Sequence, residues 1–414
     1  MSAPSPPGPS QAPQSRFFSL SRSFRHRDYR LFFTGQFISL VGTWMQQTAQ
    51  AWLVYRLTGS SLSLGLVGFA GQFPVFVLGI FGGVMADRMN RRTLLVATQA
   101  AALLQAVLLA WLTFAGQIEV WQVMVLATFL GTVNAVDIPT RQSFIVDLVG
   151  KQDLHNAIAL NSSMFNSARI LGPSVAGIML AAVGEGWCFS LNALSFLAVI
   201  ACLLRMGTPR RPVPMSHPSV WTHLREGFAY AWRTREVRAI LQLLAVASVI
   251  GMSYVVLMPV FAAEILHRGA SGLGLLMSAT GCGSLAGALL LAMRRESRGI
   301  GRYAYFGMLG FGASLALFGL SSSFWLSFLL LLPVGFCMIV SMAAANTILQ
   351  TLCPDELRGR VMALYSMMFM GMAPFGALLS GTLAHMIGAQ ATVTAGGVAC
   401  VLVLGLSGRR LLSL

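Results

Sequence analysis

Three sets of residues in this chain have the type and spacing to do chemistry. Arg169 stands near the middle of the run 157–183, where no other side chain is charged. A guanidinium keeps its proton at any usable pH and offers five donors in a planar fork. Arg169 can therefore hold an anion but cannot carry a proton. Asp137 is the carboxylate that comes closest to lying inside an apolar run, so by elimination it is the candidate proton carrier. The third set lies in the stretch GGVMADRMNRR, where Gly83, Asp87, Arg88, Asn90, Arg91 and Arg92 place one carboxylate among guanidinium groups. Its chemistry is electrostatic pairing: Asp87 can meet these arginines or a facing helix amino terminus. There is no Ser/His/Asp set, no pair of carboxylates, no Cys/His cluster and no Gly-x-x-x-x-Gly-Lys phosphate loop. The residues thus point away from an enzyme, a metal, a cofactor and direct ATP drive.

Composition places the elements that carry these residues in a lipid bilayer. Of 414 residues, 56% are hydrophobic and 10% charged, with a mean hydropathy of +0.72, whereas a soluble domain carries about 25% charged residues. Apolar runs of about 20 residues, enough for a hydrocarbon core of about 30 Å, follow one another along the chain. They fall near 31–54, 62–86, 93–115, 120–140, 157–183, 187–205, 238–262, 271–293, 303–320, 323–350, 361–384 and 388–407. In lipid an open segment must satisfy its own backbone, so each run is expected to be a helix. The expected fold is an all-α polytopic membrane protein with twelve transmembrane helices.

The net charge of +15 could suggest nucleic acid, but its distribution argues for orientation instead. Nearly all Lys and Arg fall in the tails and in alternate loops, leaving Arg56 and Arg268 on the other side and Arg169 within the membrane. This bias predicts a multi-pass protein with both termini cytoplasmic and no nucleic acid partner. Residues 1–24 read as a disordered tail, since their proline-rich start lacks the apolar core of a signal peptide. The six cysteines show no paired spacing and read as small buried residues.

The longest charged connection divides the chain into six-helix bundles at 25–205 and 238–414. In the linker, 206–237, Trp221, Leu224, Phe228 and Trp232 recur at helical spacing, as in an amphipathic helix that lies either at the membrane surface or against the protein's own cytoplasmic loops. The halves echo one another. Ala159-Leu160-x-Ser162-x-Met164-Phe165, with Gly172, recurs as Ala363-Leu364-x-Ser366-x-Met368-Phe369, with Gly376. Leu64-Gly65-Leu66 recurs as Leu273-Gly274-Leu275. Repeats of this kind are typical of secondary transporters that rock two bundles about a midplane site.

The stretch from Gly83 to Arg92 resembles the loop between the second and third helices of the major facilitator superfamily, with Asn90 where that family has glycine. Asn tolerates the left-handed backbone, so the departure is mild. Ala168 to Gly177, with Gly172, Pro173 and Gly177 in place, resembles the superfamily's antiporter motif. Pro173 can bend the helix, and small residues four apart admit a close neighbour. The stretches GTWMQQTAQAWLVYRLTGSSLSLGLVGF, NAVDIPTRQSFIVDLV and ELRGRVMALYSMMF are similar to the enterobactin-exporter branch, also described as transmembrane secretion effectors. That resemblance runs from about Phe24 to Arg410. It implies alternating access, efflux across the cell inner membrane, protons as the coupling ion, and a siderophore-like or drug-like amphiphile as substrate. Other functions to weigh are a multidrug or macrolide pump, a lysophospholipid flippase and a non-transporting sensor.

A charge at the centre of a lone helix costs about 2.5–3.5 kcal/mol, so Arg169 is expected to face the bundle interior. There it either receives an anionic part of the substrate or bonds to carbonyls and polar side chains as part of the scaffold. Gln36, Thr43, Gln47 and Gln50 share a stripe on the first helix, and Asn166 lies near the Arg169 face of the fifth. Together with Arg169 they form the expected binding residues of a single, monomeric chain. Met362, Met367, Met368, Met370 and Met372 crowd the eleventh span and suit either ligand adaptation or packing.

Overall fold

The computed structural model describes residues 22–207, 228–293 and 299–413. Its helices are α1 (Arg27–Thr58), α2 (Ser61–Arg88), α3 (Arg91–Phe114), α4 (Val120–Gly150), α5 (151–182), α6 (Glu185–Leu204), α7 (Arg235–Ile265), α8 (Gly269–Met293), α9 (Ile300–Leu320), α10 (Phe324–Leu352), α11 (Leu357–Ile387) and α12 (Ala389–Ser407). Among the described residues, ten are long and apolar enough to cross a membrane. The others, α1 and α5, carry the glutamines, asparagines and Arg169 that lower their hydropathy, but α1 packs along both α5 and α6 inside the assembly. The architecture is therefore the expected twelve helices in two six-helix bundles. Most of the expected tail (1–24) lies outside the described residues, as do Trp221 and Leu224 of the linker. Within that linker, 228–233 is helical, with Phe228 and Trp232 exposed.

Local signals set the helix ends. Ser60 and Asn90 accept hydrogen bonds from the backbone N–H groups of Ser63 and Thr93, capping α2 and α3, and Glu119 with Gln122 forms a capping box for α4. The connection between α4 and α5, expected as a loop, is helical. Its one non-helical residue is Gly150, at φ 68° and ψ 179°, a conformation open in practice only to glycine. α5 keeps helical dihedrals through Pro173. Exposed Trp111, Trp121, Trp187 and Trp325 all sit at the end away from the termini, an aromatic belt at one membrane interface.

Small residues decide how closely the helices approach. A Cβ added at Gly82 would strike the backbone of Ala135 and Val136 on α4. The predicted contact residue, Gly83, faces open space, because one residue along a helix turns about 100° away from the neighbour. Gly82→Val is expected to force α2 and α4 apart. The purified protein in detergent should melt several degrees lower, an effect of overpacking worth about 1–3 kcal/mol, whereas Gly83→Ala should melt with the parent.

Candidate functional site: the seam between the two halves

The halves meet at the end away from the termini, on pairs of glycines. Ideal Cβ atoms at Gly65 and Gly177 would fall 2.9 Å from the Cα atoms of Gly381 and Gly274 respectively. The α2–α11 and α5–α8 seams are thus related by the internal repeat, with Gly65 and Gly274 as equivalent members. A third tie joins α1 to α7, where the Tyr55 hydroxyl donates to the Glu264 carboxylate. Toward the terminus end, Ala159, Ser162 and Phe165 of α5 and Ala363, Ser366 and Met370 of α11 are exposed. Met367–Gly371 forms a π-helical turn, which frees a backbone carbonyl at Phe369 that the Ser248 hydroxyl satisfies at 2.6 Å.

Between the seams lies a cavity with an empty volume of about 370 Å³, walled by Trp44, Gln47, Thr48 and Ala51 of α1, Val255 and Pro259 of α7, and Leu273 and Met277 of α8. A second space of about 470 Å³ sits inside the α7–α12 bundle, among Ile240, Met308, Phe311 and Met338. It touches no residue of the first half, so the cavity at the seam is the candidate site. Gly172 holds that site in shape: a Cβ there would collide with Trp44 and approach the Val41 carbonyl at 2.9 Å. Trp44 is thereby kept beside Arg169, whose guanidinium lies 5.8 Å from its ring centroid. Such a cation–π contact favours the charge without neutralising it. Among the described residues Arg169 makes no ion pair.

The predicted stripe on α1 divides. Gln47 lines the cavity, Thr43 and Gln50 are half-buried, and Gln36 is 3% exposed inside its own half. Asn166 turns back to donate to the Ser162 carbonyl at 2.8 Å. Gln46, absent from the stripe, is 1% exposed and ties α1 to α3 and α6. It donates to Gln105 at 2.9 Å and accepts from Asn192 at 2.8 Å.

Asp137 is 3% exposed. It accepts from Thr98 at 2.8 Å and Gln99 at 2.9 Å on α3 and pairs with Arg141, one turn on, at 2.8 Å. It lies inside the first half, next to the α2–α4 contact, and not on the seam cavity.

The loop after α2 is a charge network. Arg91 bridges both oxygens of Asp147, at 2.8 and 2.9 Å, and reaches Asp87 at 3.5 Å. Arg92 donates at 2.7 Å to the carbonyls of Leu203 and Leu204 at the end of α6, where a cation meets the negative end of the helix dipole. Arg88 is exposed. Asn90 has φ −67° and ψ 113°, so it stands in for glycine as a helix cap and not as a left-handed residue. At Cys353, between α10 and α11, burial pushes the thiol up despite the opposing Arg358 charge, which makes it unreactive.

Two pseudo-symmetric bundles around a seam cavity define a membrane transporter of the major facilitator type. Residues 19–412 match the family described as transmembrane secretion effector, and the chain belongs to that family. It is 26% identical over 376 residues to the staphyloferrin A transporter of Staphylococcus aureus, covering 90% of this chain and 93% of that one. It is 25% identical over 394 residues to the enterobactin exporter EntS of Escherichia coli, covering 94% and 93%. Among solved structures it is similar to a bacterial homologue of the human lysosomal transporter Spinster in an inward-facing, unoccupied conformation. That match has a TM-score of 0.67 at 15% identity, over 95% of this chain and 98% of the other. A POT family transporter in complex with 5-aminolevulinic acid matches with a TM-score of 0.73 at 12% identity, over 92% and 95%.

Proposed function

We propose that this transporter exports anionic, oxygen-rich amphiphiles of the siderophore class from the cytoplasm by alternating access. Its place is the cell inner membrane, with both termini cytoplasmic and the single chain as the working unit. One observation carries the reading: Arg169 is a permanent cation beside Trp44 of the seam cavity, with no carboxylate paired to it among the described residues. In a low-dielectric cavity such a charge is costly unless an anion joins it. The Trp44 ring beside it supplies a flat apolar surface for the body of the same ligand. Relatives named for enterobactin and staphyloferrin A support this substrate class. Glycine contacts close the far end, and in this reading the substrate loads from the terminus side.

Protons are the coupling ion in this reading, and Asp137 is their carrier. Protonation would discharge the Asp137–Arg141 pair and release Arg141 to move toward the neighbouring charge network. The test is efflux in energised inside-out vesicles, comparing the parent with Arg169→Gln and Asp137→Asn on enterobactin, a macrolide and a neutral dye. Arg169→Gln is expected to lower enterobactin movement at least tenfold and to spare the dye. Asp137→Asn is expected to abolish acceleration by a pH gradient for every substrate. Equal loss of all substrates in Arg169→Gln, with intact folding, would assign the arginine to the scaffold.

A further inference from the structure

Tyr55 and Glu264, which join α1 to α7 across the seam, occupy the same position of the duplicated unit. Tyr55 stands nine residues before Leu64, and Glu264 nine residues before Leu273, in the register of the repeated Leu-Gly-Leu triplets. When two copies are related by a two-fold axis along the membrane normal, a position at that axis meets its own counterpart. A duplication that had kept its residues would set like against like there. Here the copies have diverged: the first half supplies a phenol that donates, and the second a carboxylate that accepts.

Local structure brings the pair over the cavity walls. Tyr55 lies one helical turn beyond Ala51, which lines the cavity, and its ring is packed in the core at 8% exposed. Glu264 lies five residues beyond Pro259, which lines the cavity from α7. In a regular α-helix a residue five along points well away from the first. Phe261–Ile265 is instead a π-helical turn, whose extra residue carries Glu264 back toward the seam. The nearby cations are engaged elsewhere. Arg56 is held by Glu185 of α6 at 2.7 Å, within its own half, and Arg268 lies 5.3 Å from the Phe324 ring centroid. Among the described residues Glu264 has no ion pair, so the phenol is its polar link to the first half.

We propose that Tyr55 and Glu264 form the exit gate of the transport cycle, a donor–acceptor catch at the pseudo-two-fold axis that roofs the cavity and must part before substrate leaves. The glycine contacts flank the axis and set how closely the halves approach. The catch adds a directional bond that is either made or broken. This gate depends neither on the substrate class nor on the coupling ion proposed above.

Because the two positions are equivalent, the test exchanges their residues. Ala51→Cys, one turn below the gate, is labelled by an impermeant maleimide from the side opposite the termini, in a Cys282→Ser background. Tyr55→Phe keeps the ring and loses the donor, and labelling should speed up about tenfold or more, the effect of losing one hydrogen bond to a charged group. Tyr55→Glu sets two carboxylates face to face and should raise the rate further. The exchanged pair Tyr55→Glu/Glu264→Tyr restores donor and acceptor with the halves reversed, and should bring labelling most of the way back to the parent rate. A tyrosine that only fills the core predicts the reverse, since the second substitution would add to the damage. Arg56→Gln breaks an ion pair at the same level without crossing the seam and should label at the parent rate. An unchanged rate in Tyr55→Phe, or an equal rise in Arg56→Gln, would overturn the gate. An exchanged pair that labels as fast as Tyr55→Glu would overturn the pairing at the axis.

Discussion

Gly274→Leu is expected to abolish transport while leaving a folded, membrane-inserted protein. At this point the halves touch backbone to backbone: a Cβ on Gly274 would meet the Gly177 Cα and the Pro173 carbonyl, both at 2.6 Å. Helix backbone cannot yield as a flexible side chain can, so the added leucine can be housed only by parting α5 from α8. The largest apolar core runs through both halves, and the first half has further clusters of its own away from this contact, so the substitution strains the seam and leaves most of the packing within each half in place. Moving an equilibrium from 99:1 to 1:99 takes about 5.5 kcal/mol, and overpacking alone costs about 1–3 kcal/mol or more. A side chain wedged into a backbone contact therefore lowers the closed seam relative to the open one by about 5- to 150-fold, short of complete reversal. Labelling of Ala51→Cys, a cavity position, by an impermeant maleimide reports the result in a Cys282→Ser background. Gly274→Leu, and its counterpart Gly65→Leu, should make that cysteine reactive from the side opposite the termini. Gly79→Leu adds the same bulk to α2 where a Cβ meets nothing within 4 Å, and should leave labelling and transport unchanged. Equal reactivity in all three variants would mean that the glycines do not hold the seam.

These seam positions could be found in the sequence because the chain is duplicated. Gly65 and Gly274 stand in matching Leu-Gly-Leu triplets, and Gly172 and Gly376 follow matching motifs. Gly376 meets the Ser248 and Val249 carbonyls of α7 as Gly172 meets α1. A duplication preserves contacts that the two halves share, so it marks structure more plainly than it marks specificity. Tyr254 shows the other side. It lies in SYVVLMPV, where nothing in residue type or spacing separates a fully buried tyrosine from an interfacial one. Gln46 and Gln47 are neighbours in sequence, yet one is a buried crosslink and the other lines the cavity. Apolar periodicity gives no guide there, because in lipid both faces of a helix are apolar. Asn90 does carry a local signal: an asparagine three residues before Thr93, at the start of an apolar helix, is the pattern of a helix cap.

The Asp137–Arg141 pair makes a second large prediction, on stability. Asp137 is nearly sealed from solvent and its acceptor sites are filled by Thr98, Gln99 and Arg141. Removing one partner of a buried ion pair leaves the other charge unpaired, at a cost of about 3–5 kcal/mol, whereas removing both is often close to neutral. Arg141→Gln should therefore be the most damaging single change at this site, with a large fall in melting temperature and in the yield of folded protein. Asp137→Asn keeps the shape and the acceptor for Thr98 and strands only Arg141, which is 20% exposed and can turn toward solvent, so its loss should be smaller. The double variant Asp137→Asn/Arg141→Gln should recover most of the stability lost in Arg141→Gln. Recovery of stability without recovery of pH-driven transport would separate the two roles of the pair. The carboxylate would then be needed for coupling, and the arginine would be present because a buried carboxylate needs a counter-charge. If the double variant is as unstable as Arg141→Gln alone, the two side chains do not act as a pair, and proton-controlled release of Arg141 falls with it.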